Sequence, residues 1–360
     1  MSMGKAKTIK METAKDYLDN LIKGGRLQLY KPIQIAEILY RDRISDEIDF
    51  ADIETFRLPS RRWRDVISQM LVKSTSKSSA KYQDAIFTDT EMPIGKLAEL
   101  SEINKQSRGG VEAYIYRCFE GRFNKMVAAL DYCYNHNETD FQVKELLNIF
   151  FNSKELKRSV DKIYEIIVYA LFSALVDCLN IQITLSANID KLDLLKEFED
   201  FAKQVIGLTP DRPCITIPAN IHRVGATNAA DGGLDMWSSF GMAVQIKHIS
   251  LDEEKAKEIV QGITADRIVI VCQEAEKKVI LSLLTQIGWK SRVQGIVTES
   301  ELINWYDKAL RGNFSDALGK KIINTILQQI QKEFPSADDV FAPFWNSRGY
   351  SADLIPSDWK

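Results

Sequence analysis

An aspartate, an amide and an amine, Asp235, Gln245 and Lys247, stand in the order that a two-stranded hairpin would fold into one cleft. Asp235 sits in the apolar string LDMW after Gly232 and Gly233, residues 238–241 (SSFG) carry turn chemistry, and MAVQIKHI alternates as a strand does. Gln245 and Lys247 then share one face of the second strand, Val244 and Ile246 share the other, and Asp235 on the partner strand can face the first pair. Such a set suits phosphodiester hydrolysis. A hard divalent cation takes oxygen ligands from a carboxylate, a second side-chain oxygen, a phosphate and water. When bound, it lowers the pKa of that water and offsets charge developing on the phosphoryl and leaving oxygens. Asp235 supplies the charged ligand and Gln245 only a neutral oxygen. Lys247 can orient or help deprotonate the attacking water and neutralise the phosphate.

Other residues nearby compete for a role. Asp231 lies in DGG, where a turn function outweighs metal ligation. His248 should point away from Lys247, which favours a structural role, and His136 and His222 have no acid or thiol at ligand spacing. The Gly232-Gly233 pair lacks the lysine and spacing of a phosphate-binding loop, so a nucleotide cofactor is not expected.

Residues 56–81 carry seven basic residues, Arg57, Arg61, Arg62, Arg64, Lys73, Lys77 and Lys81, against one acid, Asp65. Arg61, Arg62 and Arg64 around Trp63 offer bidentate donors for phosphate or guanine, and Ser76, Ser78 and Ser79 add hydroxyls; Lys73, Lys77 and Lys81 extend the basic surface expected to meet DNA. The bland alternative is a solvated helix face and a flexible serine loop. Tyr114 and Tyr116, inside a second and weaker basic block, are expected to serve structure before base stacking. The net charge of −3 does not advertise nucleic-acid binding, but phosphate contacts need only a local basic face.

Positioning these residues requires a sheet. Up to about residue 150 the pattern is helical, with apolar residues three and four apart; residues 154–180 form a long buried helix, 181–185 a short strand and 192–205 a charged amphipathic helix. Beyond it, strands at 214–217, 221–224, 234–237, 243–249, 267–272 and 292–297 alternate with helices at 252–261, 275–287 and 300–310, which indicates an α/β (α+β) fold. Three regions follow: a mainly helical DNA-binding and recognition region over 1–180, a catalytic core over 181–312, and a C-terminal helix with an aromatic tail over 313–360.

At 360 residues and 45% hydrophobic content the chain can bury a large core. Five scattered cysteines without a CxxC pair argue against a disulfide framework or structural zinc, and a reducing cytoplasm is expected. The greasiest run, residues 166–176, is too short to cross a bilayer, and the basic first ten residues lead into no apolar signal segment.

Asp235 followed by Gln245-Ile246-Lys247 resembles the PD-(D/E)xK nucleases, with glutamine in place of the acidic residue. The strings LYKPIQIAEILYRDR (29–43), SRRWRDVISQMLV (60–72), SSAKYQDAIF (78–87) and GGVEAYIYRCF (109–119) resemble the HaeII type of type II restriction endonucleases over most of the chain. That resemblance implies a restriction-endonuclease-like core and a cytoplasmic homodimer that uses Mg2+ to cut double-stranded DNA at a short palindromic site, leaving 5′-phosphate and 3′-hydroxyl ends. It implies Asp235, Gln245 and the backbone carbonyl of Ile246 as magnesium ligands, with Glu197 or Glu199 placed to add a carboxylate. It also implies a cognate DNA methyltransferase acting on the same site without a stable complex. The rival readings are a repair or junction-specific nuclease of the same fold and a non-catalytic DNA-binding module.

Overall fold

The computed structural model describes residues 13–25, 28–45, 48–76, 78–152, 159–224, 234–247, 267–272, 277–278, 280–282, 293–333 and 338–359. The chain is mixed helix and sheet, and it divides into two compact units whose segments alternate along the sequence. The first is Met1–Tyr132, Glu145–Val160 and Ile330–Lys360; the second is Cys133–Lys144 and Asp161–Gln329.

The first unit is helical: α1 (Ala14–Gly24), α2 (Tyr30–Ser45), α3 (Arg57–Val72), α4 (Ala80–Asp84), α5 (Ile94–Gln106), and parts of α6 (Gly110–Asn135) and α7 (Val143–Phe151). Pro32 falls in the first turn of α2, where its missing N–H costs nothing. Residues 32–39 of α2 are buried all round, as befits a helix at the centre of a bundle. Two of its charges are paired deep in the bundle: Glu37 accepts from Tyr116 Oη (2.7 Å) and Arg348 Nη2 (2.9 Å), and Arg43 forks onto Glu112 at 2.8 and 3.0 Å. Arg348 follows the Asp338–Ser347 helix, so the C-terminal stretch packs among the N-terminal helices. Gly110 allows this approach, since a Cβ there would run into the Leu354 carbonyl oxygen.

The second unit holds two sheets. In the smaller, β1 (Gln182–Ser186) pairs antiparallel with β2 (Cys214–Pro218). The larger runs β3 (Ile221–Arg223), β4 (Met236–Ser238), β5 (Met242–Lys247), β6 (Arg267–Cys272), β7 (Val293–Thr298). Its first three strands are antiparallel and β5, β6 and β7 are parallel. Sequence RIVIVC explains why β6 is an interior strand, between β5 and β7: it is β-branched almost throughout, and residues 268–272 are all buried, as a strand covered on both faces requires. Ala243, Ile268, Ile270, Cys272 and Ile280 form one core cluster on this sheet.

The long helix α8 (Val160–Cys178) precedes the sheets, and the helix Glu299–Arg311 follows β7 through a capping box of Thr298 and Glu301. Tyr306 on that helix is buried and donates to the Ile167 carbonyl of α8 at 2.8 Å. The single amphipathic helix expected over 192–205 is broken into Leu192–Glu197, Glu199–Phe201 and a π-helical turn Ala202–Ile206. Phe198 departs from helical angles (φ −108, ψ 37), and Gly207 at φ +82 ends the segment. The helix expected at 252–261 lies outside the described residues.

Candidate active site

The expected hairpin is β4–β5. Met236 lies opposite Val244 and Trp237 opposite Ala243. Gly241 turns the chain at φ +84, its N–H donating to Ser238 O (3.1 Å), while Ser238 Oγ accepts from Met242 N (2.9 Å). Asp235 stands one residue before β4, and its backbone continues the ladder: its N–H donates to Val244 O (3.2 Å) and its carbonyl accepts from Val224 N (2.9 Å). Its side chain turns to β5, where Oδ2 accepts from Ile246 N at 2.7 Å. The carboxylate is thereby pinned against the Gln245–Ile246 peptide. Gln245 is 1% exposed, and its Oε1 is buried with no hydrogen-bond partner among the described residues. Lys247 closes β5, in register with Cys272 of β6. Asp231 and His248 lie outside the described residues.

A second carboxylate belongs to this group, and it comes from α8. Glu165 is 5% exposed and takes Lys162 Nζ at 2.7 and 2.8 Å and Arg223 Nη1 at 3.6 Å. Arg223, on β3, also donates from Nε to Gln329 Oε1 at 3.3 Å. Burial pushes the Glu165 carboxyl up to about 7, the nearby Asp235 charge adds to the rise, and Lys162 and Arg223 pull the other way. Glu197 and Glu199 are exposed on their short helices, whereas Glu165 is buried and within electrostatic reach of Asp235. The sequence did carry a signal: Glu165 is a lone charge in the apolar string YEIIVYALF, and a charge on a buried helix face needs partners.

Two carboxylates and an orphaned buried amide oxygen make an oxygen-only donor set, which fits a hard divalent cation. A buried carbonyl left without a donor costs about 1 to 3 kcal/mol, and a cation ligated there would remove that penalty.

The chain matches the HaeII restriction endonuclease family across residues 14–350. It belongs to that family. It is 51% identical to the type II restriction enzyme HaeII of Haemophilus aegyptius, over 96% of this chain and 98% of the relative. It is also 51% identical to the type II restriction enzyme NgoBI of Neisseria gonorrhoeae, over 95% of this chain and 98% of the relative. No solved structure matches. Membership of the HaeII family makes the chain a restriction enzyme, a site-specific deoxyribonuclease. Among the described residues no helix is long and apolar enough to cross a membrane.

The helical unit of this chain places the basic block on α3 and α4. Arg64 is corrected from a DNA-facing to an internal residue: it is 1% exposed, and its donors go to Gln34 Oε1 (2.9 Å), Gln83 Oε1 (2.7 Å) and Asp65 Oδ1 (2.7 Å). Arg61 is half-buried and bound to Asp84, whereas Arg62, Lys73, Ser78, Ser79 and Lys81 are exposed. Ser79 caps α4, accepting from Tyr82 N at 3.3 Å. Lys77 lies outside the described residues. Tyr116 is fully buried on Glu37, and Tyr114 donates to Asp19 (2.6 Å) with its ring edge-on to Trp359, so both tyrosines serve structure.

Proposed function

We propose that this enzyme is a type II restriction endonuclease that hydrolyses both strands of a short palindromic DNA site with Mg2+, leaving 5′-phosphate and 3′-hydroxyl ends. The reading takes the β3–β7 sheet with α8 as a PD-(D/E)xK core. The observation that carries it is the Asp235 carboxylate held on the Ile246 amide beside the orphaned Gln245 Oε1.

In this account Asp235, Gln245 Oε1 and the Ile246 carbonyl hold the cation, and Glu165 takes the place of Glu197 or Glu199 as the added carboxylate. The cation, when bound, activates water and offsets charge on the scissile phosphate. Lys247 positions the attacking water and neutralises a phosphate oxygen. Arg223 and Lys162 hold Glu165 in place and balance the charge of two neighbouring acids. Arg62, Lys73, Ser78, Ser79 and Lys81 meet the DNA, with Arg61 held ready by Asp84.

Two inverted half-sites call for two symmetric protomers, so the working form is a homodimer. It acts in the cytoplasm, where a methyltransferase of the same specificity protects host DNA.

Digestion of a defined plasmid tests the reading. Discrete fragments should form with magnesium and none with a chelator, and Lys247→Ala should lower cutting by roughly 10²-fold or more while DNA binding in a gel shift persists. Nicking alone, or cutting confined to branched DNA, would rule the assignment out.

A further inference from the structure

Ten large apolar side chains between Leu179 and Ile217 are exposed. Four of them, Leu194, Phe198, Phe201 and Val205, lie on the broken helical segment 192–206, and each is more than half exposed. The β1–β2 sheet beside it presents Ile183, Leu185, Ile215 and Ile217 on one face in cross-strand pairs, with Leu185 and Ile217 exposed. The two pieces adjoin, since a Cβ on Gly207 would lie 3.6 Å from Ile215 Cδ1. A two-stranded sheet alone is marginal in water and gains from being covered.

The occupant can be argued from area and charge. At about 200 Å2 for a fully exposed large apolar side chain, these ten residues offer on the order of 1,000 Å2 of apolar surface. A standard interface needs about 800 Å2 from each partner, and monomers rarely leave so much uncovered. Residues 179–217 carry six acids against four bases, which disfavours a polyanion. A patch of this area fits a second copy of the same chain, which offers the same apolar surface in return.

We propose that residues 189–206, with the apolar face of β1–β2, form the contact through which two copies associate, the exposed Leu194, Phe198, Phe201 and Val205 packing against the same surface of the second copy. The proposal rests on the homodimer reading above and names its surface. Sedimentation of the full chain at micromolar concentration, without DNA, should give twice the 41.0 kDa chain mass. Phe198→Glu combined with Phe201→Glu should give a folded chain of half that mass, with unchanged circular dichroism and at least ten-fold slower double-strand cutting.

A folded variant that stays dimeric, or a wild type that sediments as a single chain, overturns the interface. Hydrogen exchange on the wild type gives a readout independent of the variant: backbone protection over 189–206 should rise with protein concentration, and flat protection overturns the proposal. A wild type that dimerises through this surface but does not cut DNA would uphold the interface and sink the nuclease reading. A wild type that cuts while the variant remains dimeric would do the reverse.

Discussion

Gln245 is a neutral residue buried beside Asp235, which lies within electrostatic reach of Glu165, and its chemistry follows from that placement. Gln245→Glu adds a third negative charge to a site that already raises the Glu165 carboxyl. Without a cation the three acids repel, so the melting temperature of the metal-free variant should fall by several degrees. With a cation the added charge is a better ligand, so cutting should reach half its maximum at several-fold lower magnesium. Equal magnesium requirements in variant and wild type would show that this side chain is no ligand. Glu165 contributes to the pH dependence of the metal-free protein. Its folded value of about 7 lies above the ordinary 4.5, so the native state binds more protons than the unfolded chain between those values. The stability it contributes is fully present below about pH 4.5 and is lost as pH rises through 7. Urea midpoints of chelator-treated protein should include this fall, and Glu165→Gln should flatten it. These two residues differ in how they could be read from sequence. Gln245 is named by its spacing from Asp235, whereas Glu165 lies some 70 positions earlier in the chain and becomes a neighbour of Asp235 only when α8 and the sheet are assembled.

The strands were legible as elements because each has its own local cause. RIVIVC has a β-branched, doubly buried pattern, SSFG turns between two alternating strings, and Thr298 with Glu301 spells a capping box. The break at Phe198 was not legible, because residues 192–206 keep helical periodicity straight through it. The basic helix α3 was read correctly as a helix but not in its facing. Arg61, Arg62 and Arg64 look equivalent in sequence, yet helical spacing turns Arg64 inward onto Gln34 and Gln83 and leaves Arg62 outside. The two therefore predict different losses. Arg64→Ala should destabilise the protein by about 2 to 3 kcal/mol in denaturant titrations, because Gln34 and Gln83 lose their donor. Arg62→Ala should leave stability unchanged, weaken DNA binding and lower its salt dependence by about one ion. A stability loss at Arg62 with none at Arg64 would invert the assignment of α3.

At the scale of the chain, the order of elements was readable and the grouping of segments less so. Residues 330–360 belong with the N-terminal helices, held there by Arg348 on Glu37, Tyr350 Oη on Glu112 (2.7 Å) and the close approach at Gly110. No local pattern announces such a return, because the partners are some 240 to 310 positions apart in sequence. The candidate site is likewise assembled from α8, β3, the residue before β4, and β5, all within one unit.

The claim on which the function rests is that this group holds a divalent cation through Asp235. Manganese binding to the intact protein, followed by electron paramagnetic resonance with and without Asp235→Asn, tests it without relying on DNA cleavage. Asparagine keeps an oxygen for the Ile246 amide, so the variant should fold as the wild type does. The wild type should bind the ion, and the variant should lose at least ten-fold in affinity. Equal binding by both would contradict the account.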